Sequence, residues 1–105
     1  MLRTFFFKRY EIENYDELGI YEALDVVSAI EYMFEAVDHG KRVIGGDIVE
    51  FKDGGYYLSY NNWSSSKDKT PQQTLEDALN YLRKYLSYNL KNYSFKVCVS
   101  IESDD

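Results

Sequence analysis

Hydrophobic and polar positions along the chain change period several times, and each change marks an element. Residues 3–9 alternate, with Phe5 and Phe7 on one side and Thr4, Phe6 and Lys8 on the other, which predicts a first strand. Residues 11–21 carry no period and read as irregular. From Asp25 to Gly40 the spacing becomes helical: Val26, Ile30, Met33, Phe34 and Val37 share one narrow sector. Asp25 is placed to cap that helix and Gly40 to end it.

A hairpin follows. Asp53-Gly54 lies between two strand-like runs, and a type I′ turn needs positive φ at both central residues. That turn sets Phe51 opposite Tyr56, Val49 opposite Leu58 and Asp47 opposite Tyr60. The first two pairs place apolar groups on one side, and Ile48, Glu50 and Tyr57 take the other. Gly45-Gly46 marks a strand start or a bulge.

Thr70-Pro71-Gln72-Gln73 is a helix start, with Thr as cap, Pro at the first helical position and Gln at the capping-box position. Leu75, Ala78, Leu79, Leu82 and Leu86 form the buried stripe of a helix running to about Tyr88. Phe95, Val97, Val99 and Ile101 then alternate with Lys96, Cys98 and Ser100, a strand with one apolar face. The predicted order is β-α-β-β-α-β, an α+β chain with a ferredoxin-like four-stranded antiparallel sheet and two helices on one face. The 105 residues make one domain, with residues 102–105 as a frayed tail.

Composition narrows the function. An apolar fraction of 45% supports a core, and 17% of the chain is aromatic, with 11 Tyr. One Cys excludes an internal disulfide, and Cys98 with His39 is too few ligands for structural zinc, so no metal or cofactor is expected. The N-terminus lacks the layout of a secretory signal. The longest uncharged stretch, Gly54 to Ser66, is short and polar, so the expectation is a cytoplasmic protein with no membrane partner.

The formal charge of −6 is unevenly placed. Glu11, Glu13, Asp16, Glu17, Glu22, Asp25, Glu31, Glu35 and Asp38 fall in one stretch with no Lys or Arg, while the rest of the chain carries a net +3. Glu31, Glu35 and Asp38 repeat on one helix face, where each like-charge pair costs about 0.2–0.5 kcal/mol. Asp38 also sits at the helix end that disfavours an anion. A helix selected only for stability would interleave Lys here. Tyr15, Tyr21 and Tyr32 lie in the same stretch, and Tyr is common at interface hot spots. An acidic, aromatic surface suits a basic protein partner, because complementary potentials speed encounter and discriminate partners.

Catalysis finds little support. Neither glycine pair fits a phosphate loop or a dinucleotide fingerprint. Cys98 lies mid-strand, where it reads as a small half-buried hydrophobe. His39 reads as a C-terminal cap. Gly55-Tyr56-Tyr57-Leu58-Ser59-Tyr60 loosely echoes an RNA-binding strand, with Phe5 or Phe6 as a second platform. It lacks the leading base, however, and the chain is acidic, so nucleic acid is not the expected partner. Trp63 follows the hairpin on a polar loop, where it either folds back as a lid on the core or anchors a partner.

Leu18-Gly19-Ile20-Tyr21, a helix, Val43-Ile44-Gly45-Gly46-Asp47, and Tyr60-Asn61-Asn62-Trp63 before a polar loop and a Tyr-rich helix together resemble small bacterial immunity proteins. These belong to polymorphic toxin and contact-dependent inhibition systems. The resemblance covers residues 18–88, with Asn61 standing where the family pattern carries an acidic residue. It implies a non-enzymatic protein that binds and neutralises a cognate toxin domain in the producing cell. An acidic surface that occupies the phosphate-binding cleft of a basic nuclease would meet that need, with Glu11, Glu13, Asp16, Glu17, Tyr21, Glu31, Glu35, Asp38 and Trp63 as contacts. The alternatives are a small-molecule or regulatory binding module on the same scaffold and a single-stranded RNA binder.

Overall fold

The structure is a computed structural model, described for residues 8–13, 22–88 and 95–103. Its elements are β1 (Arg9–Glu11), β2 (Glu22–Leu24), α1 (Val26–Asp38), β3 (Val43–Lys52), β4 (Gly55–Ser64), α2 (Pro71–Tyr88) and β5 (Lys96–Ile101). The strands form one antiparallel sheet in the order β1-β2-β5-β3-β4. Both helices contribute to a single core on one face, where Ala29 and Met33 of α1 and Leu75, Ala78 and Leu82 of α2 meet Val43, Ile48 and Val97.

The α+β class and the two covering helices agree with the expectation, but the sheet has five strands and a different order. Glu22–Leu24, expected to lie outside the sheet, is the strand that leads into α1. Of the first strand expected over residues 3–9, residues 3–7 lie outside the described residues, and pairing among the described ones begins at Arg9. A ferredoxin-like sheet places the first and third strands of the six-element order at its centre. Here the second and fourth, β3 and β5, hold it. The reason is burial. β3 is apolar on both faces, with Ile48 under the helices and Val49 on the opposite side, and both are fully buried. β4 carries the exposed polar residues Asn61 and Asn62 and suits an edge.

The hairpin turn forms as its residues dictate, with φ of +49° at Asp53 and +82° at Gly54. Phe51 faces Tyr56 and Val49 faces Leu58, but Asp47 faces Asn62 rather than Tyr60. A bulge accounts for the shift. Ser59, Tyr60 and Asn61 lie between the pairs that flank Ile48, Ser59 Oγ donates to the Ile48 carbonyl (2.9 Å), and Tyr60 takes a left-handed φ of +67°.

The sheet face away from the helices is also covered. Ile12, Ala23, Val49, Leu58 and Cys98 form a second cluster with Tyr10 and Tyr56. The chain after β1 crosses this face, and the Glu13 N–H donates to the Tyr56 carbonyl on β4, the opposite edge of the sheet (2.7 Å).

The helix ends follow their residues except at Asp25. The Thr70–Gln73 capping box closes reciprocally at 2.9 and 3.2 Å. Gly40 ends α1 with φ of +76°. Asp25 occupies the N-cap position of α1 but makes no side-chain cap; its carboxylate is bound elsewhere. Buried Thr74 accepts from the Val43 N–H (2.9 Å) and donates to the Pro71 carbonyl, joining the start of α2 to the start of β3.

Candidate partner-binding surface

The outer face of α1 combines anions with exposed apolar groups. Ala29, Met33 and Ala36 are buried. At 3.6 residues per turn, Phe34, Val27, Asp38 and Glu31 fall about 140° to 200° around the axis from Ala29. Phe34, expected in the buried sector, is therefore 52% exposed, and Val27 is 68% exposed. Ala29 and Ala36, rather than the larger side chains, set the centre of the buried stripe.

Ile30, Glu31, Phe34, Glu35, Asp38 and His39 line an open groove of about 490 Å³ on this face, with no Lys or Arg among them. His39 Nδ1 donates to the Glu35 carbonyl (2.8 Å), the capping role expected of it. The last turn of α1 holds no base, so the negative end of the helix dipole adds to the carboxylates. The groove can offer a basic surface both charge complementarity and an apolar anchor.

The rest of the acidic stretch is less uniform than its sequence. Glu11 faces Glu22 across β1 and β2, and Arg9 Nε lies 3.8 Å from the Glu22 carboxylate. Lys96 Nζ donates to Asp25 (2.8 Å), and the Tyr10 hydroxyl donates to the other oxygen (3.3 Å). The Lys96 hydrogen bond holds the Asp25 carboxyl below its ordinary range. Thus β1 and β5 return bases to a stretch that has none of its own. Glu13 is exposed and lies against Gly55, where an added Cβ would come within 2.9 Å of its Cγ. Tyr32 is half-buried against the core rather than displayed with the acids. Tyr15, Asp16, Glu17 and Tyr21 lie outside the described residues.

Trp63 corrects another expectation. It is not on a loop but in β4, paired with Gly46, and is 9% exposed. Its ring stacks on Tyr81 of α2 with centroids 5.2 Å apart. It is a lid on the core. The polar loop after the hairpin begins only beyond Ser64, because the bulge carries β4 onward along Gly45 and Gly46.

A second, more mixed concavity of about 370 Å³ lies between α2 and the β3–β4 edge, lined by Glu50, Asn61, Tyr81, Lys84, Tyr85 and Tyr88. There the Tyr85 hydroxyl donates to Glu50 (2.8 Å), and burial followed by that carboxylate pushes the phenol up.

Groups capable of catalysis are dispersed. The Cys98 thiol donates to the Glu22 carbonyl (3.3 Å), and burial pushes it up to about 12, while the His39 ring is engaged at the end of α1. No three His, Cys, Asp or Glu side chains converge on a metal position among the described residues. No helix among them is long and apolar enough to cross a membrane.

The family model described as Immunity protein 40 matches residues 13–99, and the chain belongs to that family. It is an immunity protein against a toxin, its partner is a cognate toxin protein, and it works by binding rather than by catalysis. Neither the curated proteins nor the solved structures contain a match.

Proposed function

We propose that this immunity protein neutralises a basic nuclease toxin domain in the cytoplasm of the producing cell. Glu31, Glu35 and Asp38 on α1 would occupy the toxin's phosphate-binding cleft, and Phe34 would anchor the contact. Glu11 adds charge on β1 and Glu13 beside the β3–β4 hairpin, and Asp16, Glu17 and Tyr21 belong to the same acidic stretch. Trp63, included among the contacts on sequence grounds, is packed in the core against Tyr81 of α2. The observation that carries the reading is the outer face of α1, where exposed Phe34 lies among carboxylates in a groove lined by no Lys or Arg, with exposed Val27 on the same helix face. Burying that apolar area against a partner supplies affinity, and the uniform charge supplies rate and selectivity.

Co-expression with the candidate toxin domain encoded beside this gene tests the reading. Growth is expected to be restored by the wild-type chain and restored poorly by the Glu31→Lys/Glu35→Lys double variant. Absence of rescue by the wild type removes the nuclease-neutralising reading for that toxin.

A further inference from the structure

The sheet face away from the helices has a second, open half beyond the cluster around Ile12. Asp47 pairs with Asn62 on one side and with Cys98 on the other, while Gly45 pairs with Ser64 and Ser100. Cys98 belongs to the cluster on this face, so the alternation of the sheet places Asp47 on the same side. Gly45, Gly46, Asp47, Asn62, Ser64 and Ser100 line a pocket of about 200 Å³ there. Its floor is bare backbone of necessity, because a Cβ on Gly45 would fall 2.3 Å from the Trp63 carbonyl oxygen.

Asp47 is half-buried and, among the described residues, has neither a hydrogen-bond donor nor a cation within reach. Other half-buried carboxylates are engaged: Asp25 by Lys96, Asp77 by Lys69, Glu102 by Arg42 and Glu50 by Tyr85. Burial alone pushes the Asp47 carboxyl above its ordinary range. A carboxylate placed this way is costly to the free protein and gains sharply when a cation reaches it.

We infer that the pocket receives one Lys or Arg side chain of the toxin, which pairs with Asp47 while Asn62, Ser64 and Ser100 accept its remaining N–H groups. This rests on the reading of the chain as a toxin-binding protein and adds a contact on the opposite side of the sheet from the helices. Size and charge select the occupant. Small-molecule sites run to about 300–1,000 Å³, so this one suits a single side chain. A single acid among the lining residues is too few for a divalent metal. The polar neighbours accept hydrogen bonds without competing for the charge.

Asp47→Asn keeps the shape and removes the charge. The test measures affinity for the toxin domain encoded beside this gene, held in a catalytically inactive form, together with the thermal midpoint of the free proteins. The expected result is affinity weaker by at least about thirtyfold, a shallower salt dependence, and a free-protein midpoint unchanged or raised. Affinity within about threefold of wild type, while the wild type binds and protects, overturns this inference and leaves the function standing. A lowered midpoint makes Asp47 a structural residue and overturns it as well. Failure of the wild type to bind is the distinct result that removes the toxin reading itself.

Discussion

The indole of Trp63 lies so close over Gly46 that a Cβ there would fall 2.2 Å from Cη2 and 2.6 Å from the Cys98 carbonyl oxygen. Gly46 is therefore a fitted floor for the ring, and Gly46→Ala is expected to cost about 1–3 kcal/mol through overpacking. Trp63→Ala should cost about 3–5 kcal/mol, the range for truncating a large core aromatic. Urea unfolding measures both. The cost should appear in the free protein, because the ring packs on Tyr81 and Gly46 rather than on a partner.

The outer face of α1 should separate binding from stability. Phe34→Ala removes a side chain that is already 52% exposed, so its stability cost should stay below about 1 kcal/mol. Its loss of toxin affinity should exceed about 1 kcal/mol if it is the anchor of the contact. Glu31→Lys should leave stability unchanged or raise it by about 0.2–0.5 kcal/mol, because it removes like-charge neighbours. It should also slow association about tenfold at low salt, and the difference should shrink as salt rises. Stopped-flow kinetics paired with denaturant curves tests the separation.

Acid should weaken the fold. Asp25 is held below its ordinary pKa by Lys96, Asp77 by Lys69 and Ser65, and Glu102 by the Arg42 backbone and side chain. A lowered carboxyl contributes stability above its unfolded pKa, and that contribution is lost as pH falls through the folded value. Stability should therefore decline below about pH 4, less steeply in high salt because these pairs are partly exposed. Asp47 has the opposite sign, since burial raises it. Its unfavourable contribution is present at neutral pH and is relieved as pH falls through its raised pKa. Asp47→Asn should thus be the more stable protein at pH 7, with the gap closing on acidification. Denaturant curves from pH 3 to 8 would show a constant gap if Asp47 were not raised.

Cys98 should be inert in the folded protein. Burial raises its thiol to about 12, and Sγ is directed to the Glu22 carbonyl. Little thiolate exists at neutral pH, and reagent access is blocked. Reaction with a disulfide reagent should therefore follow the opening of the fold and accelerate with urea. Rapid labelling without denaturant would contradict this placement.

The sequence discloses local rules well in this protein and global ones less well. Asp53-Gly54, the Thr70–Gln73 box, Gly40 and the alternation of residues 95–101 each specify an element through a few adjacent residues, and each formed. Strand order depends on which strand is buried on both sides, and that is decided by Ile12, Glu13 and the two helices arriving from elsewhere. The bulge at Ser59–Asn61 has no turn signal, so the register beyond Leu58 and the place of Trp63 were not legible. The acidic stretch was visible as charge, but its partition between carboxylates on the outer face of α1 and the Lys96-bound Asp25 requires the fold. The exposure of Phe34 was within reach, because counting Ala29 and Ala36 as core moves the helix face past it.

The left-handed Tyr60 has a consequence for how many copies of this protein coexist. β4 is the last strand on its side of the sheet among the described residues, and an open edge offers its free backbone groups to any passing strand. The Glu13 N–H already occupies the Tyr56 carbonyl, and the bulge and the reversed φ break the row beyond Leu58, so a neighbouring strand loses step before Asn62. A crowded cell can hold the chain in excess of its target without the molecules joining edge to edge into fibres.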